Sequence, residues 1–377
     1  MREGWIEKRF DEVFTLQMGK TPDRKNKAFF EGTNTWVSIK DLGDKYILSS
    51  HECISDEAAT NISIVKKGTV IMSFKLTVGK CAIAAKDLYT NEAIMAFNTK
   101  DGYEINSSFL YYYLKGYKWN GANKAVMGLT LNKATISKHN LSIPPLSTQL
   151  SIVSELDKIN ELISLKKEQL KDYDNLAQSI FYEMFGDPVV NEKGWELKKL
   201  GDVCKFTQGT QVPIEEQHLS KENGLVQFLR IIDFTQGKDA PRFVKCSNDK
   251  YILHEREIAI VRYGTPGFIC YGKIGAIANN LFKITPNQKD MFEFEFLVHW
   301  LNTDAFQSAV KSKQYGAALQ AIKFSTIQGI NIIIPSLTVQ RSFATRISQI
   351  DKQKQYIEES IKELESLLAS RMQYWFD

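Results

Sequence analysis

Basic side chains set among small, aromatic and turn-forming residues are the part of this 377-residue sequence best suited to binding a polyanion. Lysine and arginine neutralise phosphates, while arginine, asparagine and glutamine form hydrogen bonds with base edges. Any one of these residues is better explained as part of a solvated loop, so the prediction rests on the set. The predicted DNA-contacting residues are Lys20, Thr21, Arg24, Lys25, Lys27, Lys40, Lys75, Lys80, Gln211, Arg230, Lys238, Arg242, Arg262, Tyr263 and Lys273.

Two strings resemble fragments of catalytic sites. Residues 19–21 match the end of a phosphate-binding loop, but Phe14 occupies the position where that loop needs its first glycine. Asp187, Glu196 and Lys198 resemble the carboxylates and lysine of a Mg²⁺-dependent nuclease. Such strings arise often by chance in a chain with 24% charged residues. We therefore predict no catalytic residue, and a stand-alone nuclease remains an alternative.

Cysteine and histidine usage argues against a metal site. The five cysteines form no Cys-x-x-Cys pair, and the five histidines include no pair at ligand spacing. We expect no metal, no disulfide framework and a reducing cytoplasmic location, since no secretory leader or membrane span is recognisable. The net charge of +4 does not by itself indicate nucleic-acid binding.

Two long helices are predicted to position the basic loops. Residues that are apolar except for Lys166, Lys354 and Arg371 alternate four and three apart from 152 to 184 and again from 343 to 375, which is the heptad spacing of a coiled coil. The two series match position for position at one offset of 191 residues. This seam comprises Ile152, Leu156, Ile159, Ile163, Leu170, Tyr173, Ile180, Phe343, Ile347, Ile350, Ile357, Ile361, Leu364 and Leu368.

The repeat predicts two similar mixed α/β domains, and hence an α+β fold with pseudo-two-fold symmetry. β-rich runs lie at 36–39, 69–74, 228–232 and 257–262, and further helices are expected near 107–117 and 292–309. The expected boundaries are domain 1 at 1–145, a central helix at 146–186, a linker at 187–193, domain 2 at 194–336 and a C-terminal helix at 337–377.

Because the seams are long, narrow and equal in length, we expect the helices to bury each other as an antiparallel coiled coil. Each seam spans roughly 50 Å at about 1.5 Å per residue. The domains would then lie at opposite ends of a rod. The alternative is that each helix packs on its own domain as an ordinary amphipathic helix.

These features together resemble the specificity subunit of a type I restriction-modification system, over essentially the whole chain. The resemblance rests on the order of several strings, which is partly doubled within one chain. They are the Gly-Trp openings at 4–5 and 194–195, the strings at 19–22 and 36–42, Ile-Pro-Pro-Leu-Ser-Thr-Gln at 143–149, and Phe-Tyr-Glu-Met-Phe-Gly-Asp at 181–187. The second copy departs at 334–337, where Ile-Pro-Ser-Leu replaces the double proline.

The resemblance implies that each globular part is a target recognition domain reading one half of a split DNA target. It implies that the helices set the spacer and dock two methyltransferase subunits, and that a restriction and motor subunit joins the complex. S-adenosylmethionine, Mg²⁺ and ATP would bind those partners, and no cofactor would bind this chain. A coiled-coil scaffold without DNA affinity is the further alternative, and a weak salt dependence on DNA would favour it.

Overall fold

A computed structural model describes residues 2–119, 123–125, 128–235, 237, 239–288, 290–312 and 321–376, with backbone alone between 120 and 130. The chain forms two compact units. Unit 1 comprises Met1–Lys167 and Glu359–Asp377, and unit 2 comprises Glu168–Glu358. Each unit thus combines one predicted globular part with portions of both long helices. No helix in the described ranges is long and apolar enough to cross a bilayer.

The globular part of unit 1 is built on a five-stranded sheet and a three-stranded sheet. In chain order the elements are β1 Ile6–Arg9, α1 Phe10–Val13, β2 Phe14–Met18, β3 Asn34–Val37, β4 Tyr46–Ile47, β5 Glu52–Ile54, α2 Asp56–Ala59, β6 Val70–Ser73, β7 Cys81–Ala84, β8 Tyr89–Thr90, β9 Ile94–Thr99, α3 Ser107–Gly116, β10 Asn123–Ala125, β11 Gly128–Thr130, α4 Lys133–Lys138, β12 Asn140–Ile143 and α5 Leu146–Phe185. The sheets have the orders β2-β9-β6-β7-β4 and β5-β3-β8, and β1-β12 and β10-β11 form two ribbons. All four residues of β6 are buried, as expected for an apolar run covered on both faces.

Unit 2 repeats this plan with two four-stranded sheets. Its elements are β13 Glu196–Lys199, α6 Leu200–Val203, β14 Cys204–Gln208, β15 Leu225–Leu229, α7 Ile231–Thr235, β16 Arg242–Lys245, β17 Ile252–Leu253, β18 Ile258–Val261, β19 Ile269–Cys270, β20 Gly275–Ile277, β21 Leu281–Pro286, α8 Phe294–Leu301, α9 Asp304–Ser312, α10 Phe324–Gln328, β22 Asn331–Ile334 and α11 Leu337–Phe376. The order β14-β21-β18-β19 corresponds to β2-β9-β6-β7, the order β16-β15-β20-β17 contains the counterpart of β5-β3-β8, and β13-β22 corresponds to β1-β12. Two similar mixed α/β units confirm the predicted fold class.

Two local predictions in unit 2 are wrong. The run 228–232 was expected to be one strand, but β15 ends at Leu229 and α7 begins at Ile231. Asp233 causes the change, because its carboxylate accepts the backbone N–H of Arg230 at 2.8 Å and starts a helical turn. The helix expected at 292–309 is two helices, and the hydroxyl of Thr303 donates to the carbonyl of Trp300 at the break.

The two long helices each contain 40 residues, about 60 Å at 1.5 Å per residue. α5 ends where Gly186 adopts φ +76°, a left-handed conformation that ends helices. Within unit 1, Lys167 of α5 pairs with Glu365 of α11 at 2.9 Å, and Glu155 pairs with Arg371. The residue with the higher number on α5 pairs with the residue with the lower number on α11, so the pairing is antiparallel as predicted.

A buried glutamine fixes the start of each long helix to its own globular part. The Gln149 amide accepts the N–H of Asn106 at 2.8 Å and donates to the carbonyls of Glu104 and Pro144 at 2.9 and 3.0 Å. In unit 2 the Gln340 amide accepts one backbone N–H and donates to two carbonyls in the same way. The two glutamines are 1% and 0% exposed. Each helix therefore packs on its own domain as well as on the other helix.

Candidate nucleic-acid interface

Four segments of unit 1 meet where β2 ends. The N–H of Gly19 donates to the carbonyl of Ile94 at 3.3 Å, and the N–H of Lys20 donates to that of Thr90 at 2.9 Å. A Cβ atom on Gly19 would overlap the Thr90 carbonyl, so only glycine permits this approach. The glycine turn that the sequence offered as a phosphate loop instead presses Lys20 and Thr21 against the segment 90–94.

The β6–β7 loop joins the same point. The N–H of Phe74 donates to the carbonyl of Ala93 at 3.0 Å, and the N–H of Leu131 donates to the carbonyl of Phe74 at 2.8 Å. Lys75 follows directly, and Lys80 is exposed on the far side of this loop. We name residues 19–21, 74–75, 90–93 and 131–132 loop junction 1.

Unit 2 contains the same junction, made by the same four backbone hydrogen bonds. Gly209 donates to Leu281 at 3.0 Å and Thr210 to Ile277 at 2.9 Å. Arg262 donates to Asn280 at 2.8 Å and accepts from Ile322 at 2.9 Å. A Cβ atom on Gly209 would again overlap backbone carbonyls. Residues 209–211, 262–263, 277–280 and 322–323 form loop junction 2.

The polar side chains at the two junctions differ although their backbones match. In loop junction 2 the Asn279 amide donates to Gln211 Oε1 at 3.4 Å, and the Tyr263 hydroxyl donates to Asn279 Oδ1 at 3.1 Å. In loop junction 1 the Thr21 hydroxyl donates to the carboxylate of Glu92. Gln211 and Tyr263 are exposed and Asn279 is half-buried. The junctions thus present an amide pair in one unit and a hydroxyl–carboxylate pair in the other.

Several buried polar atoms at the junctions have no hydrogen-bond partner. Among the described residues these include Thr90 Oγ1 in loop junction 1 and Arg262 Nε and Asn280 Oδ1 in loop junction 2. An unpaired buried polar group costs about 1–3 kcal/mol. Local strain or an ordered water accounts for such groups in folded proteins.

Four other predicted DNA contacts of unit 1 are Arg24, Lys25, Lys27 and Lys40. Arg24 and Lys40 lie near the carboxylate of Glu52. Arg24 Nη2 donates to Glu52 Oε2 at 2.9 Å, and its guanidinium lies over the rings of Phe30 and Trp36 at 4.3 and 5.0 Å. The hydrogen bond from Arg24 lowers the pKa of Glu52, and the charge of Lys40 lowers it further. Lys25 and Lys27 are exposed on the segment that carries Arg24.

In unit 2, Arg230 and Lys273 converge on the α7 turn. Arg230 Nε forms an ion pair with the buried carboxylate of Asp233 at 3.1 Å, and Lys273 donates to the Asp233 carbonyl. Arg242 is half-buried on β16. Lys238 lies outside the described residues. Arg230 and Lys273 therefore hold the α7 segment together, in contrast to Arg262 at the junction.

The seam residues fall into two classes of burial. Buried are Ile152, Leu156, Ile159, Ile163, Phe343, Ile347, Ile350, Ile357 and Ile361, and half-buried are Leu170, Tyr173, Ile180, Leu364 and Leu368. Basic residues within the seam face acids. Lys354 pairs with Asp174 at 2.6 Å in unit 2, and the hydrogen bond from Arg371 lowers the pKa of Glu155 in unit 1.

The residues of the nuclease-like string have local partners. Lys198 pairs with Glu196 at 3.2 Å on β13, and the Asp187 carboxylate accepts the N–H of Val189 at 2.7 Å after α5. No group of three potential metal ligands occurs within the described ranges.

Sequence reasoning missed Glu92, Asn279 and Asn280 in the junctions. No basic charge or turn motif marks them. The available signal was the repeat itself, because both copies place a glycine at the end of their first long strand, at 19 and 209. Aligning β9 with β21, the strands that pair with β2 and β14, brings Glu92 opposite Asn279.

Known proteins share both the sequence pattern and the fold. A family model described as the type I restriction modification DNA specificity domain matches residues 2–172 and 192–366. The MjaIX specificity subunit of a type I restriction enzyme from Methanocaldococcus jannaschii is 25% identical, over 92% of this chain and 86% of its own length.

Two solved structures share the fold. A chain from a study of the assembly and conformational transition of the type I restriction-modification system has a TM-score of 0.62 at 19% identity, covering 100% of this chain and 98% of that one. The specificity subunit of a type I system from M. genitalium has a TM-score of 0.50 at 14% identity, covering 98% and 95%.

Proposed function

Because this chain belongs to the type I restriction modification DNA specificity domain family, we propose that it is the subunit that selects the DNA target of a type I restriction-modification complex. The family resemblance predicted from the sequence is thereby confirmed. In this proposal each unit reads one half of a split target on double-stranded DNA in the cytoplasm. Two methyltransferase subunits, which bind S-adenosylmethionine, dock on the long helices, and a restriction and motor subunit that uses ATP and Mg²⁺ joins them.

The duplicated loop junction is the observation that carries this proposal. One backbone framework occurs twice in the chain and presents different polar side chains each time. Base edges are read by polar side chains held on a rigid support, and basic neighbours position the phosphates. Two equivalent but chemically different surfaces support recognition of two different half-targets.

The test is to reconstitute the chain with methyltransferase subunits from its source and to map methylated adenines in DNA of random sequence. We expect one split motif with two dissimilar halves, and binding that weakens steeply as salt rises. Methylation without a motif, or a chain that never associates with such subunits, would overturn the proposal. Glu196→Ala serves as the control for a stand-alone nuclease, and it should change neither the motif nor the absence of cleavage by the chain alone.

We further propose that the helices set the number of unread base pairs between the halves. The support is that two uninterrupted 40-residue helices match at a single offset. Deleting residues 165–171 and 356–362 removes one heptad from each helix and shortens each by about 10 Å. The spacer of the mapped motif should shorten by about 3 base pairs at ~3.4 Å per step, with both halves unchanged. An unchanged spacer in an active complex would refute this role.

A further inference from the structure

We propose that the polar pair in each loop junction reads one base, and that the two pairs read different bases. Gln211 and Asn279 of loop junction 2 recognise an adenine, and Thr21 and Glu92 of loop junction 1 recognise the amino group of a cytosine. This inference rests on the proposed function and names the positions at which each unit distinguishes its half-target.

The two pairs occupy equivalent positions. Thr21 follows Lys20, whose N–H donates to the carbonyl of Thr90. Gln211 follows Thr210, whose N–H donates to the carbonyl of Ile277. Glu92 precedes Ala93, whose carbonyl accepts the N–H of Phe74 in the β6–β7 loop. Asn279 precedes Asn280, whose carbonyl accepts the N–H of Arg262 in the β18–β19 loop. Backbone hydrogen bonds therefore fix where each side chain starts, whatever its type.

The amide pair suits adenine. In the major groove adenine presents the N7 acceptor beside the N6 amino donor, which one amide group meets with two hydrogen bonds. Gln211 is exposed, and among the described residues its Oε1 accepts one hydrogen bond, from Asn279, which leaves a lone pair for N6 and the Nε2 donor for N7. The hydroxyl of Tyr263 in turn holds Asn279, so the reading group is oriented before DNA arrives.

The hydroxyl–carboxylate pair suits cytosine. An ionised carboxylate only accepts hydrogen bonds, and the amino group of cytosine is the donor that acidic side chains contact in the major groove. Glu92 is exposed and uses one of its sites on the Thr21 hydroxyl, which leaves the others free for the base. The same carboxylate repels the N7 and O6 acceptors of guanine, so the contact discriminates.

Basic residues beside each pair offset the charge of the DNA backbone. Lys20 and Lys75 flank the pair of loop junction 1, and Arg262 and Lys323 flank that of loop junction 2. Among the described residues, the buried Nε atom of Arg262 and Oδ1 of the adjacent Asn280 have no hydrogen-bond partner.

The experiment transplants one pair into the other unit. The double variant Gln211→Thr, Asn279→Glu gives loop junction 2 the side chains of loop junction 1 and is assayed in the full methyltransferase complex by mapping methylated sites. We expect a preference for A·T at one position of one half-target to become a preference for C·G, with a change of about 10- to 100-fold, typical of one bidentate base contact. The other half-target should stay unchanged.

Two further variants make the result interpretable. Gln288 lies beyond the C-terminal end of β21, whereas Asn279 precedes its N-terminal end. Gln288→Thr should therefore leave the whole motif unaltered. Gln211→Glu alone replaces an exposed amide by a carboxylate of the same shape, and it should weaken the A·T preference even if the double variant folds poorly.

The outcomes separate this inference from the function on which it rests. An unchanged motif in an active Gln211→Glu complex, or a loss of affinity that is equal for all sequences, overturns the assignment of base reading. A wild-type complex that methylates without any motif overturns the proposed function instead.

Discussion

Replacing the buried glutamine at the start of either long helix tests how the helices are fixed to their domains. Gln340→Leu keeps the volume but removes one acceptor and two donors, and it leaves the N–H of Glu293 and the carbonyls of Met291 and Pro335 without these partners. At about 1 kcal/mol for each hydrogen bond, the variant should lose about 3 kcal/mol of unfolding free energy. Gln149→Leu should cost a similar amount through the same three bonds in unit 1.

Hydrogen–deuterium exchange of the full chain locates the effect and avoids the assumption that two units unfold as one. In Gln340→Leu, exchange should accelerate at 291–295 and stay unchanged at 104–108, and Gln149→Leu should show the reverse. Gln349→Leu, at an exposed position of α11, is the matched control. Opening free energies from exchange at 291–295 and 104–108 within about 0.5 kcal/mol of wild type in both buried variants, the usual effect of a surface change, would refute the reasoning.

Three other results are expected. Burial lowers the pKa of His299 to about 4, so the unfolded chain takes up a proton below pH 6.5 that the folded chain resists. Unit 2 should lose up to about 3 kcal/mol between pH 6.5 and 4, and His299→Phe should flatten this slope in denaturation curves. Arg230→Ala leaves the buried Asp233 carboxylate unpaired, so calorimetry should show a loss of about 3 kcal/mol, and Arg242→Ala much less. Gly19→Ala or Gly209→Ala should each abolish selection of one half-target in the methylation map, and loss of both halves from one change would contradict the assignment of one unit per half.

The long helices were predictable from sequence because their signal is local and repeated. Seam positions recur every three, four or seven residues, and Gly186 marks one helix end within a residue. The loop junctions were not predictable, because they form through backbone hydrogen bonds between segments about 70 residues apart, such as Lys20 and Thr90. Backbone atoms carry no residue-specific signature in the sequence, so Glu92 and Asn279 went unnoticed.

Charge alone predicts which loop residues could contact DNA, and the structure adds what each of them contacts within the protein. Arg24, Arg230 and Lys273 stay predicted DNA contacts, and each also has a partner within its own unit. Whether a loop cation is available to a ligand depends on the carboxylate or carbonyl that folding brings beside it. Asp233 illustrates this, since the residue that ends the predicted strand also forms the ion pair with Arg230.

The two ion pairs in the seam select one alignment of the helices. Sliding α11 by one heptad in one direction would leave Arg371 opposite Leu162 and Lys354 opposite Phe181, and sliding it in the other would leave Arg371 opposite Thr148. Apolar residues at heptad spacing tolerate such a slip, whereas a misplaced charge does not. Exposed ion pairs contribute little to stability. Lys354–Asp174 and Arg371–Glu155 therefore specify the register of α11 against α5, while apolar contacts supply most of the free energy that holds the two helices together.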